Sequence, residues 1–200
     1  MFVINADQRD SRREPDRVPA LLAAASECSA VLPFERTVGD EVQGVFASGA
    51  DVLAVLEVIL RSGRWSVGIG IGSAELAETP SASRGDAFLA ARSAVETAKN
   101  RWQEIAVRSP AGPVEPAQTL AGFTAHWIEK ASNRQWEVLS LARNHTQSQV
   151  AEQLQISQQA VSDSLRASKA AAVEEGVTQL ELLLNEENGQ IGRASCRERV

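Results

Sequence analysis

An aspartate, Asp7, closes the apolar run Phe2–Ala6, and a second acidic pair, Asp40-Glu41, sits with Gly39 between two short apolar runs. Two or three hard oxygen anions brought together are what Mg²⁺ seeks, with water or phosphate oxygens completing the octahedron. Asp10 stands three residues further on as a supporting carboxylate, and Arg9, Arg12, Arg13 and Arg36 either meet phosphate or neutralise the acids. Asp7 and Asp40 are equally suited to local hydrogen bonding in turns. A second set lies near the other end, where Gln158, Gln159, Ser162, Asp163, Arg166 and Lys169 fall on the outer face of a helical pattern. Gln amides pair with adenine bidentately in a major groove, Ser donates or accepts, and Arg or Lys reaches guanine or phosphate. With Thr146, Gln147 and Ser157, which open the two helices concerned, Gln158, Gln159, Ser162, Arg166 and Lys169 make the expected contact set for double-stranded DNA. The polar surface of a helical bundle is the alternative.

The elements that must position the acids are short. Phe2–Ala6 reads as a buried strand, Asp7–Asp16 as a polar turn, and Val18–Ala25 as a helix. Phe34–Val38 and Val42–Phe46 suit a hairpin closed by Gly39-Asp40-Glu41. Asp51 is the expected N-cap of a helix to Arg61 with Leu53, Leu56 and Leu60 at helical spacing. Trp65–Gly72 alternates Trp, Val, Ile and Ile with Ser and three glycines, a strand whose bare face admits a helix or a ligand. Ala87–Lys99 is helical and Ile105–Val107 is a last strand. The order predicts an α+β, ferredoxin-like domain with an antiparallel sheet and its helices on one face. First and third strands are then neighbours, and the acids converge at one end of the sheet.

The second half contains no strand candidate. Thr119–Ala131 carries a stripe of Leu120, Phe123, Trp127 and Ala131, read as core or as a dimer seam. Ser132–Gln135 and Thr146–Gln149 are capping boxes, each opening a helix. Gln155-Ile156-Ser157 interrupts the period and Gln158–Ala172 resumes it, with Val161 and Leu165 inward. This is a helix-turn-helix pattern with no strand pair after it. Four cations (Arg134, Arg143, Arg166, Lys169) against three carboxylates leave Ser132–Ala172 at +1. Four phosphate contacts give a salt slope of only about −3.6. Two copies on half-sites about 34 Å apart would double the contacts, so a homodimer is expected, with Leu120–Trp127 and Val177, Leu180 and Leu184 as candidate seams.

Hydrophobic residues are 44% and charged residues 23% of the 200, a globular balance. No apolar run is long enough for a bilayer, so no membrane partner is expected. The start lacks a basic segment leading into an apolar core, and two cysteines build no disulfide framework, which points to the cytoplasm. A net charge of −6 argues against binding nucleic acid through bulk electrostatics alone. Ser109–Pro116 holds three prolines and a glycine, and reads as a linker over 109–118 between domains at 1–108 and 119–190. Gly192–Val200 resembles a translated sequencing-library adapter whose frame also supplies Ile191, so 191–200 is expected to be a non-native tail.

Val3–Arg12, Thr37–Gly44 and Gly68–Gly72 together resemble the SatD family across roughly residues 2–108, the element Gly39-Asp40-Glu41-Val42-Gln43-Gly44 most of all. That family brings a fold rather than an established activity. The same domain is similar, more distantly, to class III nucleotide cyclases. That resemblance implies metal-binding aspartates at Asp7 and Asp40 and a nucleotide-binding arginine at Arg92, after the helix start Gly85-Asp86-Ala87. Phe88 stands where the cyclase pattern has an Asn that positions the ribose, which speaks against cyclase chemistry. Gln147–Ser162 resembles the helix-turn-helix of sigma-factor region 4, with Gln155 where that turn usually has Gly. Together these resemblances imply a DNA-binding transcriptional regulator whose amino-terminal domain senses a ligand, a metal-nucleotide by the cyclase resemblance. The alternative is a Mg²⁺-dependent nucleotide-binding or nucleotide-converting enzyme.

Overall fold

The structure, a computed structural model, describes residues 1–197, with side chains described as far as Gly192. It is a mixed α+β protein built on one six-stranded sheet. The strands are β1 (Phe2–Gln8), β2 (Leu32–Arg36), β3 (Glu41–Phe46), β4 (Trp65–Ile71), β5 (Ile105–Ser109) and β6 (Gly112–Pro113), in the order β2-β3-β1-β4-β5-β6. All pairings are antiparallel except β4 with β5. The helices are α1 (Val18–Ala25), α2 (Gly49–Ser62), α3 (Asp86–Ala98), α4 (Glu115–Lys130), α5 (Asn133–Ala142), α6 (Gln147–Leu154), α7 (Gln158–Ala167) and α8 (Ala170–Arg197). None is long and apolar enough to cross a membrane.

Strand alternation decides the layers. Phe2, Ile4 and Ala6 of β1 and Trp65, Val67, Ile69 and Ile71 of β4 face one way, into the main core with α1, α2, α4 and α8. The opposite face of β4 is Ser66, Gly68 and Gly70, and α3 lies directly on it. The expectation of helices on one face is therefore corrected: α3 alone covers the second face of β1, β4 and β5, and these central strands are buried on both sides. The bare face admits a helix, not a ligand. A Cβ on Gly68 would stand 2.2 Å from the Val95 nitrogen, and one on Gly70 would stand 2.1 Å from the Ala87 oxygen. Phe88 is buried at 8% exposure with Val3, Val45, Ala87 and Ala91, so that phenyl ring fills the layer between α3 and the sheet.

The proline-rich stretch is not a free linker. Residues 109–113 form the β5–β6 hairpin, and Pro116 occupies the first turn of α4, where its missing N–H loses no bond. Ala117, Ala121, Ala125 and Ile128 of α4 and Leu180 and Leu184 of α8 then enter the sheet core. The proposed seam at Val177, Leu180 and Leu184 is thus occupied within the chain, Leu180 and Leu184 having no exposure. In the other stripe Leu120 and Trp127 pack inward while Phe123 stays 62% exposed. Of the suspected tail, Ile191 packs on the core and the helix continues to Arg197, while the remaining side chains lie outside the described residues. Ser48, not Asp51, is the N-cap of α2; Asp51 is the reciprocal member of that capping box.

The glycine seam generates a prediction. Gly70→Ala drives a methyl into the α3 backbone and costs about 3 kcal/mol or more by urea unfolding. Gly176→Ala, mid-α8 with nothing within 4 Å of the new methyl, raises stability by about 0.5–1 kcal/mol.

Candidate functional site

At the end of β1 the chain leaves the sheet through a tight turn, with the Arg13 and Glu14 N–H groups donating to the Asp10 carbonyl at 2.7 and 3.0 Å. The β1–β3 register sets Asp7 opposite Glu41, and the Gln8 N–H donates to the Asp40 carbonyl at 3.3 Å. Asp7 and Asp40 therefore line one cleft of about 530 Å³, as the sequence leads one to expect. Asp10, Arg9, Arg12 and Arg13 line it too. Arg36 does not: it hydrogen-bonds the Asp16 carboxylate and holds its pKa below the usual range. Nor does Arg92, an exposed residue of α3.

The basic residue of α3 that lines the cleft is the lysine two turns later. α3 runs along the sheet face shared by Val3, Asn5 and Asp7, and its C-cap residue Lys99 reaches the cleft. The Lys99 ammonium lies 3.0 Å from Asp7 and 2.9 Å from Glu96. Burial pulls the Lys99 pKa down, but hydrogen bonds to Glu96 and Asp7 and the attraction of their charges together outweigh it and hold the amine above its ordinary value. The wall also includes Ser66, Arg64 and Glu104; Glu104 is ion-paired with Arg9 and accepts from the Ser66 hydroxyl at 3.2 Å. None of these lies near the aspartates in sequence, and no local spacing would have found them.

A carboxylate-bound Mg²⁺ needs several hard oxygen ligands. Asp7 is already engaged by Lys99, and no group of three His, Cys, Asp or Glu stands together among the described residues. An ion held by Asp7 and Asp40 would have to displace that ammonium from Asp7.

The polar helix face lies on α7. Ser157 is its N-cap, accepting from the Ala160 N–H at 3.1 Å, and Thr146 caps α6 in a reciprocal box with Gln149. Thr146, Gln147, Gln158, Gln159, Arg166 and Lys169 are exposed and Ser162 is half-buried, so the structure gathers these residues around α7 and the start of α6. Asp163 organises the face, accepting from the Gln159 amide at 3.0 Å and the Arg166 guanidinium at 3.1 Å. Underneath, Val138, Val150, Ala151 and Val161 form a small core, with Leu154, Ile156 and Leu165 packed against it.

Between α6 and α7, Gln155 takes the left-handed conformation (φ 53°, ψ 45°), letting the Ile156 N–H return to the Ala151 carbonyl at 3.0 Å. At the far end the helix expected to reach Ala172 breaks at Lys169 (φ 56°), and the Trp127 indole N–H donates to the adjacent Ser168 carbonyl at 2.6 Å. Lys169 therefore sits in the turn after α7 rather than on the helix. Arg143 is withdrawn from the helical unit's cations altogether, bound to Glu57 of α2 and Glu174 of α8.

Among the described residues, five non-glycines have positive φ: Asp10, Arg64, Glu104, Gln155 and Lys169. Three line the cleft and two bracket α7. Backbone strain of this kind concentrates at working sites. No family model, curated protein or solved structure matches the chain.

The turn yields a direct prediction. Gln155→Gly removes the Cβ penalty of the left-handed conformation and stabilises the protein by about 1 kcal/mol, measured as a raised urea midpoint at constant slope. An unchanged or lowered midpoint contradicts the conformation described for this turn.

Proposed function

We propose that this chain is a SatD-like DNA-binding transcriptional regulator. Its α5–α7 unit is a helix-turn-helix that reads the major groove through α7, and its ferredoxin-like half carries the ligand-sensing cleft. The observation that carries the reading is the exposed face of α7. Gln158, Gln159 and Arg166 project from a short helix whose apolar side rests on α5 and α6, and the left-handed Gln155 turn sets its angle to α6. Such a helix offers paired amides to adenine edges, each good bidentate pair discriminating by about 1–3 kcal/mol. At the N-terminus of α6 the Gln147 and Ser148 N–H groups stand outside the Thr146–Gln149 capping box and suit a phosphate. The order β2-β3-β1-β4, with β1 between the two strands of a split pair, supports the ferredoxin-like assignment. The cleft, with three strained residues in its wall, supports a ligand there.

Asp163 gives the face its selectivity. A carboxylate among the amides repels phosphate and accepts from cytosine N4, so α7 engages DNA where base contacts compensate for weak charge attraction. Surface pairs such as Arg166–Asp163 are worth little and open readily, freeing the guanidinium. Two copies on one operator supply the affinity that a single unit lacks.

The test is selection of bound sequences from random duplexes with the intact protein. Gln158→Ala with Gln159→Ala flattens the sequence preference, while Arg166→Ala weakens all duplexes to a similar degree. Equal loss on every duplex in the Gln variants contradicts base reading.

A further inference from the structure

We infer that the cleft at the end of β1 binds a phosphate-bearing anion without a divalent metal, Lys99 serving as its resident cation. The inference rests on the ligand-binding role proposed for that cleft and specifies its chemistry. Five cations line the cleft, Arg9, Arg12, Arg13, Arg64 and Lys99, against four carboxylates. Three of those carboxylates are already answered: Asp7 by Lys99, Glu104 by Arg9, and Asp10 by Arg64 at 3.5 Å.

Arg12 and Arg13 are different. Both are exposed, both line the cleft, and neither has an ion-pair partner among the described residues. They sit on the tight turn that Asp10 (φ 56°) starts, so two guanidiniums are carried over the cleft mouth on a fixed backbone. Guanidinium forks match phosphate oxygens bidentately, whereas an apolar ligand offers them no acceptor. At the cleft wall a metal ion would have to displace an ammonium that is held by both Asp7 and Glu96. The ammonium instead neutralises Asp7, which would otherwise repel the phosphate, and has a third proton to donate. A pocket of about 530 Å³ has room for a diphosphate with an organic group attached.

Calorimetric titration of the intact protein with sodium pyrophosphate, in EDTA and then in excess Mg²⁺, tests this. Binding in EDTA is expected, not strengthened by Mg²⁺, and Arg12→Ala with Arg13→Ala weakens it about tenfold or more. Lys99→Met releases Asp7 and makes binding fall in EDTA. Binding by the wild-type protein only in Mg²⁺, no binding in either buffer, or an undiminished affinity in the arginine double variant overturns the inference. A nucleoside triphosphate arm then separates recognition of the phosphates alone from recognition of a base. Duplex binding measured on the same samples distinguishes failure here from failure of the DNA-binding reading, because Arg12, Arg13 and Lys99 lie outside α5–α8.

Discussion

A guanidinium lies at the centre of the contacts that join the α5–α7 unit to the rest of the molecule. Arg143, at the C-cap of α5, donates to Glu57 of α2 at 2.6 and 2.8 Å and to Glu174 of α8 at 2.9 and 3.0 Å. The Glu57 hydrogen bonds outweigh partial burial, so its pKa rises further above an already high value and the charge is permanent. It also lies over the Trp136 ring at 5.6 Å, with Arg61 5.4 Å from the same ring. Arg61 in turn donates to the Ile128 and Ala131 carbonyls, closing the end of α4. Two cations around one indole thus tie α2, α4, α5 and α8 together, and α7 is presented from a fixed base.

The distribution of strain follows the same division of labour. The sheet core runs through standard strand and helix conformations, while the left-handed non-glycine residues gather at the cleft and at the two ends of α7. At Gln155 and Lys169 the strain is compensated by hydrogen bonds returning to helix ends and by the Trp127–Ser168 bond. Around the cleft it is compensated by ion pairs: Arg64 with Asp10 and Glu14, Glu104 with Arg9. Charge pairs therefore hold the cleft wall, where hydrophobic contacts hold the rest.

What could be read from the residues divides along locality. The capping boxes at Ser132 and Thr146 and the alternation of Trp65–Ile71 depend on neighbours within a few positions, and the structure carries them as expected. The convergence of Asp7 and Asp40 followed from strand adjacency. The proline stretch was ambiguous in principle, since proline ends helices and equally favours their first turn. Periodicity alone could not place α3 on the opposite face, although the glycines of β4 hinted at the close approach. Lys99, Arg64 and Glu104 were illegible, because tertiary packing brings them to Asp7 and Arg9 from other elements. Arg143 looked like a cation available to DNA for the same reason: its partners Glu57 and Glu174 lie 86 and 31 residues away.

Removing Arg143 from the count leaves Arg134, Arg166 and Lys169 to meet phosphates, and this is the most direct way to question the account. Fluorescence anisotropy of a labelled duplex, titrated with the intact protein at stepped salt concentrations, reports the number of phosphates neutralised. The account requires saturable binding whose logarithmic salt slope is about −2.7 for each bound copy. Anisotropy that stays flat at every protein concentration in dilute buffer, or an affinity indifferent to salt, contradicts it.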